Sequence, residues 1–130
     1  MEAKQRNLVQ ILARDFASRL ATAVFLVDPD GELIYFNEAA EDLLGQHFSE
    51  GHGMSVREQL TAFAPVAEDG SRLPLEELPL GIALVRRVPA HGALKIVGHD
   101  GERRDIEVTA FPLFAHSDEF VGAVAIFWEP

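Results

Sequence analysis

The segment Val121–Trp128 is apolar at nearly every position. It limits the possible folds of this 130-residue chain more than any other segment does. If it forms a strand, both of its faces are apolar, which is typical of a central strand in a sheet that is covered on both sides. We therefore expect the chain to supply neighbouring strands and packing for both faces of a sheet. The segment carries no alternation of its own, and we expect the outer face of its strand to be apolar around Ala123, Ala125 and Phe127.

Two strand pairs are predicted elsewhere in the chain. Thr22–Val27 and Glu32–Phe36 flank an Asp-Pro-Asp-Gly turn signal. Ala93–Val97 and Arg103–Phe114 flank a second tight turn. The last of these strands alternates, and its apolar face consists of Ile106, Val108 and Ala110. Pro112 lacks a backbone N–H, so we expect it to bulge this strand or to end its pairing.

Helical patterns cover the N-terminus and the middle of the chain. Residues Glu2–Leu20 contain helix formers with an apolar stripe at spacings of three and four. Asn37 is a typical N-cap, and we expect its side chain to accept from the N–H of Ala39 or Ala40, with about 1 kcal/mol lost on substitution by alanine. We expect Asn37 to play no part in ligand chemistry. Ser55 and Glu58 form a capping box before a helix that contains Leu60, and a further helix is predicted over Pro79–Arg87.

Composition excludes several classes of function. The formal net charge of -10 disfavours a nucleic-acid surface or an anionic membrane surface, both of which need clustered Lys and Arg. The chain has no cysteine, so it has no disulfide, thiolate metal site or thiol nucleophile. No apolar run reaches the roughly 20 residues that span a bilayer, and no secretory signal is visible. The expected location is the cytoplasm.

Three stretches in this order resemble a Per–Arnt–Sim (PAS) domain of the bacterial sensory type. Residues 23–40, AVFLVDPDGELIYFNEAA, look like the opening hairpin and the Asn-capped helix of that family. Residues 100–103, DGER, with the following strand through 110–113, AFPL, are similar to a later hairpin, and 121–127, VGAVAIF, to the last strand. The resemblance covers residues from about 20 to 128.

The resemblance implies an α+β fold, with a five-stranded antiparallel sheet of order 2-1-5-4-3 and short helices on one face. It also implies a non-enzymatic sensory module, generally attached to an effector, with an internal cavity for a small molecule. On this reading residues 1–20 are an N-terminal dimerisation or capping helix, and residues 21–130 are the PAS domain. The side chains expected to line the cavity are Phe25, Val27, Leu43, Leu60, Leu84, Ile106, Val108 and Ala110.

The identity of any cofactor stays open at this point. Haem is not favoured, because the helix that usually supplies the axial histidine in haem-binding members, Pro79–Arg87, contains none, and His91 is expected in a solvated loop beyond it. Photochemistry that needs a cysteine-linked flavin or a coumaroyl chromophore is excluded. His47, Glu50 and His52 have the chemistry for a divalent cation, but a solvated loop is the favoured interpretation and we predict no metal site.

The N-terminal helix predicts a homodimer. Its apolar side chains are too many and too large for a free solvated helix, and a two-fold pair would bury both copies at once. We expect the helix to cover its own sheet as well as to touch a partner. The residues expected at or beside the interface are Leu8, Ile11, Leu12, Asp15, Phe16 and Arg19.

Two alternatives are open. The nine phenylalanines and the aliphatic residues are sufficient to fill the core, which would make the domain a ligand-free interaction module. A small ketosteroid-isomerase-like enzyme is less favoured, because it needs an inward-facing carboxylate. Asp105 and Glu107 are predicted on the polar face of their strand, and no catalytic residue is proposed.

Overall fold

The structure, a computed structural model, describes residues 2–44, 65–67, 69–97, 101–115 and 118–130. Five strands form one antiparallel sheet in the order β2-β1-β5-β4-β3, which confirms the expected fold. The central strand is the last one along the chain, as its two apolar faces predict. The strands are β1 (Ala23–Val27), β2 (Leu33–Phe36), β3 (Ala90–Val97), β4 (Arg103–Phe114) and β5 (Phe120–Trp128).

Helices cover both faces of the sheet. The described helices are α1 (Glu2–Ser18), α2 (Glu38–Leu44), a 3₁₀ turn (Leu75–Glu77) and α3 (Pro79–Val85). Residues of α2 and α3 pack with the inward side chains of the strands in the main core, whereas α1 packs on the opposite, outer face. The helix expected to contain Leu60 lies outside the described residues. No described helix is long and apolar enough to cross a membrane.

The register of β5 corrects one expectation. Its inward residues are Ala123, Ala125 and Phe127, which are buried in the main core rather than exposed on the outer face. The outer face instead carries Val124 and Ile126, which pack under or beside α1. A strand that is apolar on both sides contains no alternation from which its faces can be distinguished, and a shift of one residue exchanges them all.

The start of β3 and the pairing of Pro112 in β4 also differ from the prediction. β3 begins at Ala90, which pairs with Ala110, so that His91 lies on a strand and not in a loop. Pairing with β4 overrides the weak strand propensity of the Ala-His-Gly sequence. Pro112 neither ends the pairing nor bulges it; it lies opposite Ala123, and the register shift comes later, between Leu113 and Phe114. Because β3 pairs no further than Ala110, β4 is an edge on that side at Pro112, where a missing N–H is tolerated.

Asn37 caps α2 as predicted and does considerably more. Its Oδ1 accepts from the N–H of Ala40 at 3.0 Å and from the N–H of Val24 at 3.0 Å. Its Nδ2 donates to carbonyl oxygens at the end of α1 and in the segment that leads to β1. The acceptors are Ala17 (2.9 Å), Thr22 (2.8 Å) and Leu20 (3.4 Å).

Removal of the Asn37 side chain should therefore lower the free energy of unfolding by more than the loss of a simple helix cap would. Its side chain is 1% exposed, and its bonds with Val24, Ala40 and Ala17 are buried, so water cannot readily replace them. Each buried N–H or C=O that loses its partner costs about 1–3 kcal/mol, so the loss should exceed the ~1 kcal/mol of a simple cap several times over.

Gly81 allows α3 to pack closely on the preceding 3₁₀ turn. A Cβ added at this position would lie 1.7 Å from the carbonyl oxygen of Leu75, a backbone atom that cannot rotate away. Gly92 is a matched control, because a Cβ there meets only the Cγ of Pro79, at an ordinary 3.5 Å.

We predict that Gly81→Ala destabilises the domain by about 3 kcal/mol or more, because the backbone must shift to relieve the overlap. Gly92→Ala should cost no more than about 0.5 kcal/mol. Urea unfolding followed by circular dichroism measures both. Equal losses in the two variants would contradict the close packing described at Gly81.

Candidate functional site

The main core contains an apolar cavity of about 50 Å³ between the inner face of the sheet and the start of α3. The described side chains around it come from all strands but β2 and from the 3₁₀–α3 region. They are Phe25, Leu78, Pro79, Leu80, Leu94, Ile96, Ile106, Val108, Ala125 and Phe127. Pockets for drug-sized ligands measure about 300–1,000 Å³, so the volume between the described residues matches a very small molecule.

The structure brings most of the predicted lining residues into one core, although fewer reach the cavity. Phe25, Ile106 and Val108 line it directly. Val27 and Ala110 are fully buried in the same core, and Leu43 and Leu84 pack against its edge. Leu60 lies outside the described residues.

Sequence reasoning missed several lining residues, for identifiable reasons. Leu94 and Ile96 follow the period-two alternation of β3, so that pattern could have predicted them as lining residues. Ala125 and Phe127 were assigned to the wrong face of β5. Leu78 and Pro79 lie at the junction between the 3₁₀ turn and α3, where no periodicity applies.

Aromatic packing closes the β1 side of the cavity. The ring of Phe25 meets that of Phe36 edge-on, at a centroid distance of 5.4 Å, and that of Phe127 at 5.4 Å with a tilt of 51°. Such pairs contribute about 0.5–1.5 kcal/mol beyond the burial of their surface. They hold the shape of this wall.

The described lining contains no ionisable side chain, which determines what the cavity can bind. It offers dispersion contacts and shape, but no hydrogen bond or charge from those side chains. A polar or ionic ligand would lose its hydration there without compensation. The described lining also contains no carboxylate of the kind that an isomerase-like mechanism needs.

His91, the one histidine among the described residues, faces away from the cavity. It lies on the outer face of β3, where its Nδ1 is 2.8 Å from the Thr109 hydroxyl and its Nε2 is 3.7 Å from a carboxylate oxygen of Glu107. It is thus not placed to bind a haem in the core. Within the described ranges, no group of three His, Asp or Glu side chains is positioned for a metal ion, and His47, Glu50 and His52 lie outside those ranges.

The lowered pKa of Asp69 arises from hydrogen bonds within a surface turn. The hydroxyl and the N–H of Ser71 donate to its Oδ1 at 2.6 Å and 2.9 Å, and these bonds lower the pKa of the Asp69 carboxyl. Asp69 does not line the core cavity, so the shift gives the cavity no acid or base.

The second candidate region is the outward face of α1. Its inward face docks on the sheet through Ala13 and Ala17, and the Gln10 side-chain amide donates to the Val121 carbonyl at 3.1 Å. The opposite face carries the set that we call the α1 stripe: Leu8, Ile11, Leu12, Asp15 and Phe16 of the helix, together with Arg19, which directly follows it. Asp15 and Arg19 pair with each other at 3.5 Å and are largely exposed.

A groove of about 490 Å³ runs beside the α1 stripe. It is lined by Ile11, Arg14, Asp15, Ser18 and Tyr35. The guanidinium of Arg14 lies 4.9 Å from the centre of the Tyr35 ring, a cation–π contact that holds one wall of the groove. The stripe and the groove thus form one continuous surface.

Comparison with known families agrees with this arrangement. The sequence profile of the PAS domain family matches residues 21–128. The chain belongs to the PAS domain family. It is accordingly a PAS-type sensory domain of the kind used in signal transduction, and such domains are generally non-catalytic. Comparison with curated proteins gave no match.

Solved structures, several of them PAS domains, share the fold at low sequence identity. The PAS domain of BvgS from Bordetella pertussis superposes with a TM-score of 0.62 at 15% identity, over 92% of this chain and 84% of that one. The PAS domain of nitrogen regulation protein NR(II) from Vibrio parahaemolyticus gives 0.62 at 20%, over 92% and 98%. The light-state dimer of the fungal blue-light photoreceptor Vivid gives 0.64 at 18%, over 94% and 90%.

We predict that Ile106→Ala lowers the free energy of unfolding by about 2–5 kcal/mol, because Ile106 is buried beside the cavity. Asp105→Ala is the control: this exposed neighbour points to the other face and loses only a surface pair with Lys95. Its effect should stay within about 0.5 kcal/mol. Chemical unfolding of both variants is the measurement, and the reverse ranking would contradict the assigned faces of β4.

Proposed function

We propose that this PAS domain is a sensory module that forms a homodimer through α1 and passes its state to an effector domain or signalling protein. The observation that carries the proposal is the α1 stripe, whose four apolar side chains are between 53% and 64% exposed. Contiguous apolar patches of this kind on soluble domains mark interaction sites. In this proposal, residues 1–20 act as a dimerisation helix and residues 21–130 as the sensor, with the cytoplasm as the compartment.

The position of α1 supports a partner rather than a closer fit to its own sheet. The inward face of the helix is already occupied by Ala13, Ala17 and the Gln10 hydrogen bond. A rotation that buried the stripe would break these contacts. Within the part of the chain that the structure describes, no other segment covers the stripe, which supports a partner molecule as its source of burial.

A second copy of the chain is the occupant that this surface favours. The stripe contains one acid and one base, so it is neutral within a chain of net charge -10, and two copies can meet there with little repulsion. The large side chains lie beside a groove, and a two-fold axis would bring the stripe of each copy to the groove of the other. A dimer is also the form described for Vivid, one of the structural neighbours.

We predict that Ile11→Glu weakens the dimer at least about tenfold, because it buries an unpaired charge in an apolar contact. Val85→Glu is the matched control: Val85 is 65% exposed, against 62% for Ile11, but lies on α3. Sedimentation velocity across a concentration series measures both variants and the unchanged chain. A monomeric parent chain at high micromolar concentration, or equal effects of the two substitutions, would contradict the proposal.

We also propose a small apolar ligand for the core cavity, because its described lining is entirely apolar and its walls come from rigid strands. The alternative is a filled core that serves only interaction. Xenon is a suitable probe, since dry apolar cavities bind it.

In xenon NMR, the chain should bind xenon, and Ala125→Val should abolish the binding because the added methyl groups occupy the cavity. Ala93→Val places the same groups on the exposed face of β3 and should leave binding intact. The core would be closed to ligands if the parent chain bound no xenon.

A further inference from the structure

Asn37 is the one buried polar side chain among the described residues, and it lies between two separate hydrophobic clusters. Ala40, whose N–H it caps, is fully buried in the inner cluster with the cavity. Ala17, whose carbonyl oxygen it binds, belongs to the outer cluster under α1. A single side chain thus contacts both layers of the domain.

The two ends of the amide serve different elements. The oxygen accepts from α2 and β1, while the nitrogen donates to the end of α1 and to the segment that leads into β1. An amide group is planar and rigid, so its oxygen and nitrogen move together. A displacement of α2 that draws the oxygen along must also change the position of the nitrogen relative to its acceptors at α1.

The Asn37 amide supplies buried hydrogen bonding at the C-terminal end of α1, where the other described contacts include the cation–π contact of Arg14 with Tyr35, one turn before that end, and apolar packing. The docking side chains there are small, chiefly Ala13 and Ala17, and the Gln10 bond is about two turns away from the end of the helix. Leu20 is only partly buried. The position of this end therefore depends strongly on the Asn37 amide.

We propose that Asn37 is a positioning residue that couples α2, on the cavity side of the sheet, to α1 on the outer side. A change in the packing of α2 against the core reaches the α1 stripe through the rotation of this one amide. The inference rests on the proposed function only in that α1 is the output; the mechanical coupling itself does not require a dimer.

The first test separates the donor from the acceptor. Asn37→Ser retains a hydroxyl that can cap Ala40 but is too short to reach the carbonyl oxygens of α1. Asn37→Asp keeps both acceptor bonds and removes every donor. Asp28→Ala is the control: it removes two accepted backbone hydrogen bonds, of 2.9 and 3.0 Å, at the opposite end of β1.

Hydrogen exchange read by mass spectrometry should show α1 amides, residues 8–18, exchanging about tenfold faster in both Asn37 variants, relative to the amides of β5 in the same protein. In Asp28→Ala this ratio should not change. A uniform acceleration across the domain in the Asn37 variants, or an unaltered α1, would overturn the proposal. Two variants are used so that one failure to fold does not decide the outcome.

The second test addresses coupling directly with a double-mutant cycle. Leu43→Ala loosens α2 against the core and should by itself speed exchange in α1. In the Asn37→Ser background the same substitution should have little further effect on α1, since the connection is already broken. The proposal would be overturned if, in the double variant, the increase in the α1 exchange rate equalled the product of the increases in the two single variants.

Both tests can be run in the Ile11→Glu background as well as in the parent chain. Coupling that persists there is internal to one protomer and stands even if the parent chain proves monomeric. Loss of coupling in that background, with coupling in the parent, would overturn the proposal while leaving the dimer in place.

Discussion

The buried amide of Asn37 is the interaction on which the arrangement of this domain depends. Its side chain accepts from the N–H groups of Val24 in β1 and Ala40 in α2 and donates to the carbonyl oxygen of Ala17 in α1. Displacing the amide would take the acceptor away from both N–H groups. Buried polar networks that are fully satisfied hold a structure in one geometry, because partial satisfaction is costly in a low-dielectric interior. One asparagine therefore determines how the helices on both faces meet the sheet.

The sheet divides the domain into two layers with different packing. On the inner face, large side chains such as Phe25, Phe36 and Phe127 interlock and leave only a small apolar cavity. On the outer face, small residues let α1 lie close to the strands, while its large side chains point outward. The two candidate functional regions consequently lie on opposite faces, and any communication between them must pass through or around the sheet.

Membership of the PAS family explains the fold that this chain shares with other members, but not the surfaces that are particular to this chain. The family profile matches residues 21–128, so the whole of α1 lies outside the matched region. Identities of 15–20% to the compared solved structures preserve strand order and core packing, which many apolar sequences satisfy, but they do not carry over a ligand or a partner. The proposals for α1 and for the cavity therefore rest on the side chains of this chain.

The sequence by itself determined the features that depend on local pattern. The turn before Gly31, the cap at Asn37, the faces of β4 and the central place of β5 were all legible, because turn chemistry and alternation are properties of a few neighbouring residues. Tertiary structure decided the rest. It selected the inward face of β5, where no alternation exists, extended β3 back to Ala90 through pairing with β4, and accommodated Pro112 at a local edge. It also gave Asn37 its partners at α1, up to 20 residues away in the chain, because only the folded sheet brings the end of α1 to the start of α2.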